Sequence, residues 1–122
     1  MAYDEYLADR IRQKFRELDV PFEAKKMMGG ICFLVNDKMC VGVVKEMLMA
    51  RIGPDKTGEA LARNGCREMD FTHRPMKGFI FVEPEGIDRD RDLEYFISLA
   101  LEYNPTAKSS KKSQINPLNL QP

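Results

Sequence analysis

Three apolar runs separated by pairs of turn-forming residues constrain the fold of this chain more than any other feature. The runs cover residues 31–35, 39–44 and 47–52, and they are joined by Asn36-Asp37 and by Lys45-Glu46. Asparagine and aspartate tolerate the left-handed backbone that tight hairpin turns require. Connections this short allow only antiparallel neighbours, because parallel strands need a long crossover. The stretch therefore predicts an antiparallel meander.

Helical periodicity appears on both sides of the meander. A period of 3.6 residues predicts one helix near the start of the chain, with Asp4 as its N-cap and Pro21 beyond its end, and another before Tyr103. A shorter helix is expected between Gly53 and Asn64. The apolar positions of the first helix are Leu7, Ile11, Phe15 and Leu18, and those of the last are Leu93, Phe96, Ile97, Ala100 and Leu101.

Two further strands are predicted between the second and third helices. They cover residues 66–71 and 77–82 and flank a charged turn at residues 72–76. One antiparallel sheet of about five strands, with the helices packed on one face, would bury all of these apolar stripes. We therefore expect an α+β two-layer sandwich over residues 1–103.

Residues 104–122 form a segment of different composition. They are rich in serine, lysine, asparagine and proline, show no period, and contain Lys108, Lys111 and Lys112 but no acid. Such a composition cannot bury enough apolar surface to order itself. We expect a disordered basic tail, with Ile115, Leu118 and Leu120 as a weak docking signal.

Charge and cysteine content restrict the classes of function. Lys+Arg and Asp+Glu each total 19, so the net charge of zero disfavours a nucleic-acid-binding protein. Three cysteines without a C-x-x-C pair, together with one histidine, predict reduced thiols, no metal and no cofactor. The acidic start of the chain has no apolar leader, and no apolar run approaches the roughly 20 residues that span a bilayer. We expect a soluble cytoplasmic protein.

Four residues are predicted to shape the backbone. Gly29-Gly30 leads into a strand, whereas a phosphate-binding glycine loop leads into a helix. The pair therefore favours a bulge or a sharp bend that reverses the strand direction. Pro75 fixes the backbone of the charged turn, and Gly78 indicates a close backbone approach beside the following phenylalanine.

The candidate binding residues are Arg51, at the end of a predicted strand, and Asp70, His73, Arg74 and Met76, in or beside the charged turn. Asp70 could form a bidentate contact with either arginine and so pin the turn to the sheet. The alternative is a site at which the remaining arginine binds an anion or a partner carboxylate. His73 has an acid nearby to orient it but no nucleophile motif, so we assign no catalytic residue.

Methionine is abundant, with eight residues in the chain. Met27, Met28, Met39, Met47, Met49, Met69 and Met76 all lie on or near predicted strands. Most are expected to fill the core. Exposed members would form an adaptable protein-binding face, because the thioether side chain is flexible and polarisable.

Several segments together resemble the N-terminal domain of the TfoX/Sxy competence regulators. They are residues 26–33, 39–43, 48–54 and 69–79, and the most specific is Arg-Pro-Met-Lys-Gly-Phe at 74–79. Met28 stands where the family pattern usually has an aromatic residue. The resemblance implies a two-layer α-β-α-β-α fold similar to secretion-chaperone-like domains. It also implies a regulatory role beside a catabolite-activator-type transcription regulator, here without the C-terminal helical domain of full-length members.

Three functions remain open from the sequence. The first is a non-enzymatic interaction module that binds a protein, such as a transcription regulator or a second copy of the chain, through the sheet face or the region of Arg51 and Arg74. The second is a nucleic-acid-associated factor that uses the basic tail. The third is a small enzyme centred on Asp70, His73 and Arg74. We expect the first, with no membrane partner.

Overall fold

The computed structural model of the protein describes residues 3–27, 29–71 and 74–107, with residues 69–71 and 74–76 described for their backbone only. Within these residues, three helices and six strands follow one another in the predicted order. The helices are α1 (Glu5–Glu17), α2 (Pro54–Leu61) and α3 (Asp90–Tyr103). The strands are β1 (Glu23–Met27), β2 (Gly30–Val35), β3 (Lys38–Val44), β4 (Met47–Arg51), β5 (Cys66–Phe71) and β6 (Arg74–Val82).

The six strands form one antiparallel sheet in the order β1-β2-β3-β4-β6-β5. The α+β fold is confirmed, and the sheet has one strand more than the approximate number expected. Both predicted hairpin turns are present. Asn36 and Asp37 have φ angles of 55° and 64°, and Lys45 has a φ angle of 56°. These left-handed residues reverse the chain within two positions and fix the register of the meander.

Helix α1 begins at the predicted cap. The backbone amides of Tyr6 and Leu7 donate to Oδ1 of Asp4 at 2.9 and 3.2 Å. This contact satisfies two of the amides that have no partner inside the helix. The predicted apolar stripe is buried as far as Phe15, but Leu18 lies just after the helix and is 41% exposed.

The main core lies between the helices and one face of the sheet. Phe15 of α1 packs against Phe22 and Phe33, with ring centroids 5.2 and 6.2 Å away. Burying a side chain of this size contributes about 1.5–3 kcal/mol. The strand residues on this face are Ile31, Phe33, Val35, Val41, Val43, Leu48, Ala50, Ile80 and Val82. The alternate residues of the same strands point to the opposite face.

Two glycines bring the start of α2 against β6. The amides of Ile52 and Gly53 both donate to the carbonyl of Gly78, at 2.8 and 3.1 Å. Gly53 and Gly78 have φ angles of 87° and 84°, and a Cβ on Gly78 would lie 3.1 Å from the Cα of Gly53. The close approach predicted at Gly78 is therefore present. Gly78 belongs to β6 and not to a turn.

The first glycine pair behaves as predicted. Gly29, with a φ angle of 74°, lies in the turn that joins the antiparallel strands β1 and β2. Gly30 begins β2, where a Cβ would collide with the backbone carbonyl of Val43. The pair thus reverses the strand direction.

The second strand of the last pair begins earlier than predicted. Strand β6 begins at Arg74, which pairs with Phe71, and Pro75 pairs with Asp70. Pro75 therefore lies in a strand, and the prediction of a turn at this position was wrong. Strand β4 pairs only with the later part of β6, from Phe79 onward. Proline is tolerated where the strand has a neighbour on one side only.

The residues directly after the predicted domain end at Tyr103 pack against the sheet. Asn104–Thr106 form a 3-10 turn, and Asn104 is only 2% exposed. Its side-chain nitrogen donates to the backbone carbonyl of Val35 at 3.0 Å. Its side-chain oxygen accepts from the side-chain amide of Asn36 at 2.9 Å. Residues 104–107 therefore belong to the folded unit. The rest of the predicted tail, 108–122, lies outside the described residues.

Candidate functional site

Four of the five predicted site residues lie on the neighbouring strands β4, β5 and β6. Asp70 is on β5, and Arg74 and Met76 are on β6, but only their backbone is described. His73 lies outside the described residues. Pairing of Asp70 with an arginine therefore stays a prediction.

Arg51 is the one member of this set whose side chain is described. It ends β4, opposite Phe79 of β6, and its guanidinium carbon lies 5.4 Å from the centroid of that ring. The same carbon lies 5.9 Å from the ring centroid of Tyr103 on α3. A guanidinium over aromatic rings is attracted by their negative faces. Arg51 is thus held at the corner where the sheet meets the last helix.

A second apolar cluster lies on the sheet face opposite the helices. Its members are Cys32, Leu34, Met49 and Phe81, each no more than 5% exposed. The strand register places Cys32, Gly42, Met49 and Phe81 in one row across four strands. A Cβ on Gly42 would lie 3.0 Å from the methyl carbon of Met49. The glycine therefore makes room for the methionine to pack flat against the sheet.

Half-buried side chains surround this cluster. They are Met27, Met39, Val44, Met47 and Phe79. We refer to the cluster and this rim together as the methionine face. Because each rim residue keeps part of its surface in solvent, the face presents apolar, adaptable side chains around a packed centre.

Basic side chains stand at both ends of the central row. Lys25 of β1 pairs with Cys32 at one end, and Arg67 of β5 pairs with Phe81 at the other. The Arg67 guanidinium lies 5.3 Å from the ring centroid of Phe81, and its Nε donates to Glu83 at 3.0 Å. Its Nη2 also lies 3.1 Å from the sulfur of Met47. Arg67 is therefore fixed beside the rim.

The three thiols are poor nucleophiles in their surroundings. Burial raises the pKa of Cys32 and Cys66 to about 11 and that of Cys40 to about 12. A thiol must lose its proton to attack a substrate or bind a metal, so these side chains are protonated and unreactive near neutral pH. Within residues 3–27, 29–71 and 74–107, the structure has no group of three or more His, Cys, Asp or Glu side chains placed to hold a metal ion.

A comparison with protein families decides the classification. The model of the TfoX N-terminal domain matches residues 13–103 of the chain. The chain belongs to this family. The range matched by the TfoX N-terminal domain takes in all six strands, so the whole methionine face is part of the family's domain.

Comparison with curated proteins and with solved structures finds no match to the chain. In the part of the chain that the structure describes, every helix is too short or too polar to cross a bilayer.

Sequence reasoning missed the second cluster as a site. Its prediction of a methionine-rich binding face included Met27, Met39, Met47 and Met49, but not Leu34, Phe81 or Arg67. A signal was present, because residues 31–35 are apolar at every position. An antiparallel strand covered on one face would alternate between apolar and polar residues.

Proposed function

We propose that this TfoX N-terminal domain is a non-enzymatic interaction module, and that it binds a partner protein through the methionine face. The observation that carries the proposal is the apolar cluster on the sheet face that none of the described helices covers. The cluster itself is buried, but its half-buried rim groups apolar side chains in contact with solvent, and such a patch is typical of a protein-binding surface.

The chemistry of the face defines the partner. The methionines of the rim can adapt their shape to an apolar segment, and Lys25, which is exposed at one end of the central row, suits a carboxylate beside that segment. The partner therefore presents apolar side chains next to an acid. We take it to be a transcription regulator, because the resemblance to the TfoX/Sxy competence regulators implies such a role.

The absence of an enzymatic role is part of the proposal. Protonated, buried thiols favour it, and neutral overall charge disfavours a nucleic-acid partner. Free cysteines, two of which are buried, suit a reducing compartment, so we place the protein in the cytoplasm. An enzyme centred on Asp70, His73 and Arg74 is the rival hypothesis, and it predicts turnover that the His73→Ala variant loses.

Binding to a catabolite-activator-type regulator tests the proposal directly. Isothermal titration with the purified full chain should give an affinity that Met39→Glu weakens by at least tenfold. Met39→Leu keeps the apolar volume and should change the affinity by less than about threefold, since such swaps cost little. Thermal melts of both variants check that the fold is retained.

A control on the helical side completes the experiment. Tyr6 is 74% exposed on α1, and Tyr6→Glu should leave the affinity unchanged. With methyl-labelled methionines, the signals of Met27, Met39 and Met47 should shift on titration. Absence of binding, or an equal loss with Tyr6→Glu, would disprove the proposal.

A further inference from the structure

A groove lies at the end of the sheet where the α1–β1 connection meets the β2–β3 turn. It has a volume of about 520 Å³, and its walls are residues 19–23 and 34–37. Its apolar lining, which we call the floor, includes Val20, Phe22, Leu34 and Val35. We call it the acidic groove.

The rim of the acidic groove is negatively charged. Asp19 and Glu23 contribute exposed carboxylates, and none of the lining residues is basic. An incoming cation is attracted to these two carboxylates. An apolar floor with an acidic rim suits a segment that carries both lysines and aliphatic side chains.

The walls of the groove are firmly held. Asp19, Asn36 and Asp37 have φ angles of 60°, 55° and 64°, so two tight connections define its edges. Phe22 on the floor packs on Phe33 of the main core, with ring centroids 5.7 Å apart. The groove is therefore present before any segment enters it.

The described chain ends beside this groove. Asn104 donates to Val35 and accepts from Asn36, both of which line the groove. Lys38 holds the same turn from the other side, because its Nζ donates to the carbonyls of Asn104 and Pro105, each at 3.1 Å. Ala107, the last described residue, is buried. The chain that follows Ala107 therefore begins four residues after Asn104, which contacts the groove.

The sequence after Ala107 has the required chemistry. Residues 108–122 contain Lys108, Lys111 and Lys112, no acid, and then Ile115, Leu118 and Leu120. Four extended residues span at most about 14 Å, so Lys111, four residues after Ala107, has up to that length of chain with which to approach the rim. We propose that residues 108–122 bind in the acidic groove of their own chain, with lysines at the carboxylates and an aliphatic side chain on the floor.

Trypsin cleavage after Lys111 and Lys112 in the full chain tests the assignment. Cleavage of the wild-type tail should be slower than cleavage of a free peptide of sequence 108–122. Asp19→Asn with Glu23→Gln removes two rim charges and keeps side chains of similar size. Asparagine also tolerates the left-handed backbone at position 19. This double variant should be cleaved about fivefold faster than the wild type, because each surface ion pair contributes modestly.

The matched control is Glu46→Gln with Glu102→Gln, which neutralises two exposed acids outside the groove. It should be cleaved within about twofold of the wild-type rate. In 0.5 M NaCl the wild type should approach the rate of the free peptide measured in the same salt, since screening weakens exposed charge pairs. A wild-type tail cleaved as fast as the free peptide, or equally in both double variants, would overturn the proposal. Protection that disappears on tenfold dilution would also overturn it, by assigning the groove to the tail of a second copy.

Discussion

Replacing Asn104 with alanine is expected to lower the free energy of unfolding by about 2 kcal/mol. The side chain is almost fully buried, and it makes two hydrogen bonds, to the carbonyl of Val35 and from the amide of Asn36. Each such bond contributes about 1 kcal/mol net, and a partner left unsatisfied in the interior costs more. The alanine fills none of the space that the amide vacates, so no new contact offsets the loss.

Thermal unfolding followed by circular dichroism would measure the effect. For a domain of this size, about 1 kcal/mol corresponds to roughly 4 °C, so Tm should fall by about 8 °C. Asn64→Ala is the control, because Asn64 is exposed in the turn after α2. It should shift Tm by less than about 2 °C, as surface substitutions usually do.

The comparison of these two variants decides where the folded unit ends. If Asn104→Ala and Asn64→Ala melt at the same temperature, the 3-10 turn contributes nothing to the fold. The composition of residues 104–122 would then be a better guide to the boundary than the hydrogen bonds of Asn104.

Four further predictions concern stability and reactivity. Gly53→Ala should destabilise the protein by about 2 kcal/mol or more in denaturant titrations, because a Cβ there meets an aromatic ring and φ is 87°. Gly58→Ala, in α2 with open space around it, should instead stabilise by about 0.5–1 kcal/mol, and a loss of stability there would contradict the reasoning. Cys40, whose pKa is raised to about 12, should react with iodoacetamide at neutral pH about a thousandfold more slowly than a free thiol, measured by mass spectrometry. The hydrogen bond from Lys14 lowers the pKa of Asp90 from its usual value of 3.8. The stabilisation that Asp90→Asn removes should therefore be present near pH 6, and it should be lost as the pH falls below 3.8 and through the lowered pKa of the folded protein. An Asp90→Asn variant that melts like the wild type at pH 6 would contradict this last prediction.

The elements that local chemistry determines could be predicted from the sequence. Asn36-Asp37 adopts the left-handed turn that its residue types favour, and Asp4 caps α1 as expected. The sequence of β1 alternates only weakly between apolar and polar residues, because this strand lies at the edge of the sheet and most of its residues are exposed. Local patterns carry little information where a strand packs on one neighbour only.

Features that depend on distant residues could not be predicted in the same way. Pro75 was placed in a turn because the sequence does not show that β4 ends before reaching it. Asn104 was placed in the tail because its partner Val35 lies 69 positions earlier in the chain. The same limit applies to the candidate site. No spacing rule brings Arg67 beside Phe81 and Met47, since that contact depends on the final order of strands.

The edge strands of the sheet favour binding of the proposed partner to the methionine face over pairing of a partner strand with an edge. Edge strand β1 carries Glu23, Lys25 and Lys26, all exposed, and edge strand β5 carries Arg67 and Glu68, also exposed. Charged side chains on an edge strand oppose pairing with another strand.

The methionine face carries no charged side chain at its centre. Its buried row would be costly to expose fully, and a fully sealed face would offer a partner nothing to contact. The half-buried rim of Met27, Met39 and Met47 lies between these extremes. Its flexible thioethers cover the centre when no partner is bound, and they can turn toward an incoming apolar segment. A surface of this kind supports reversible association with the proposed partner.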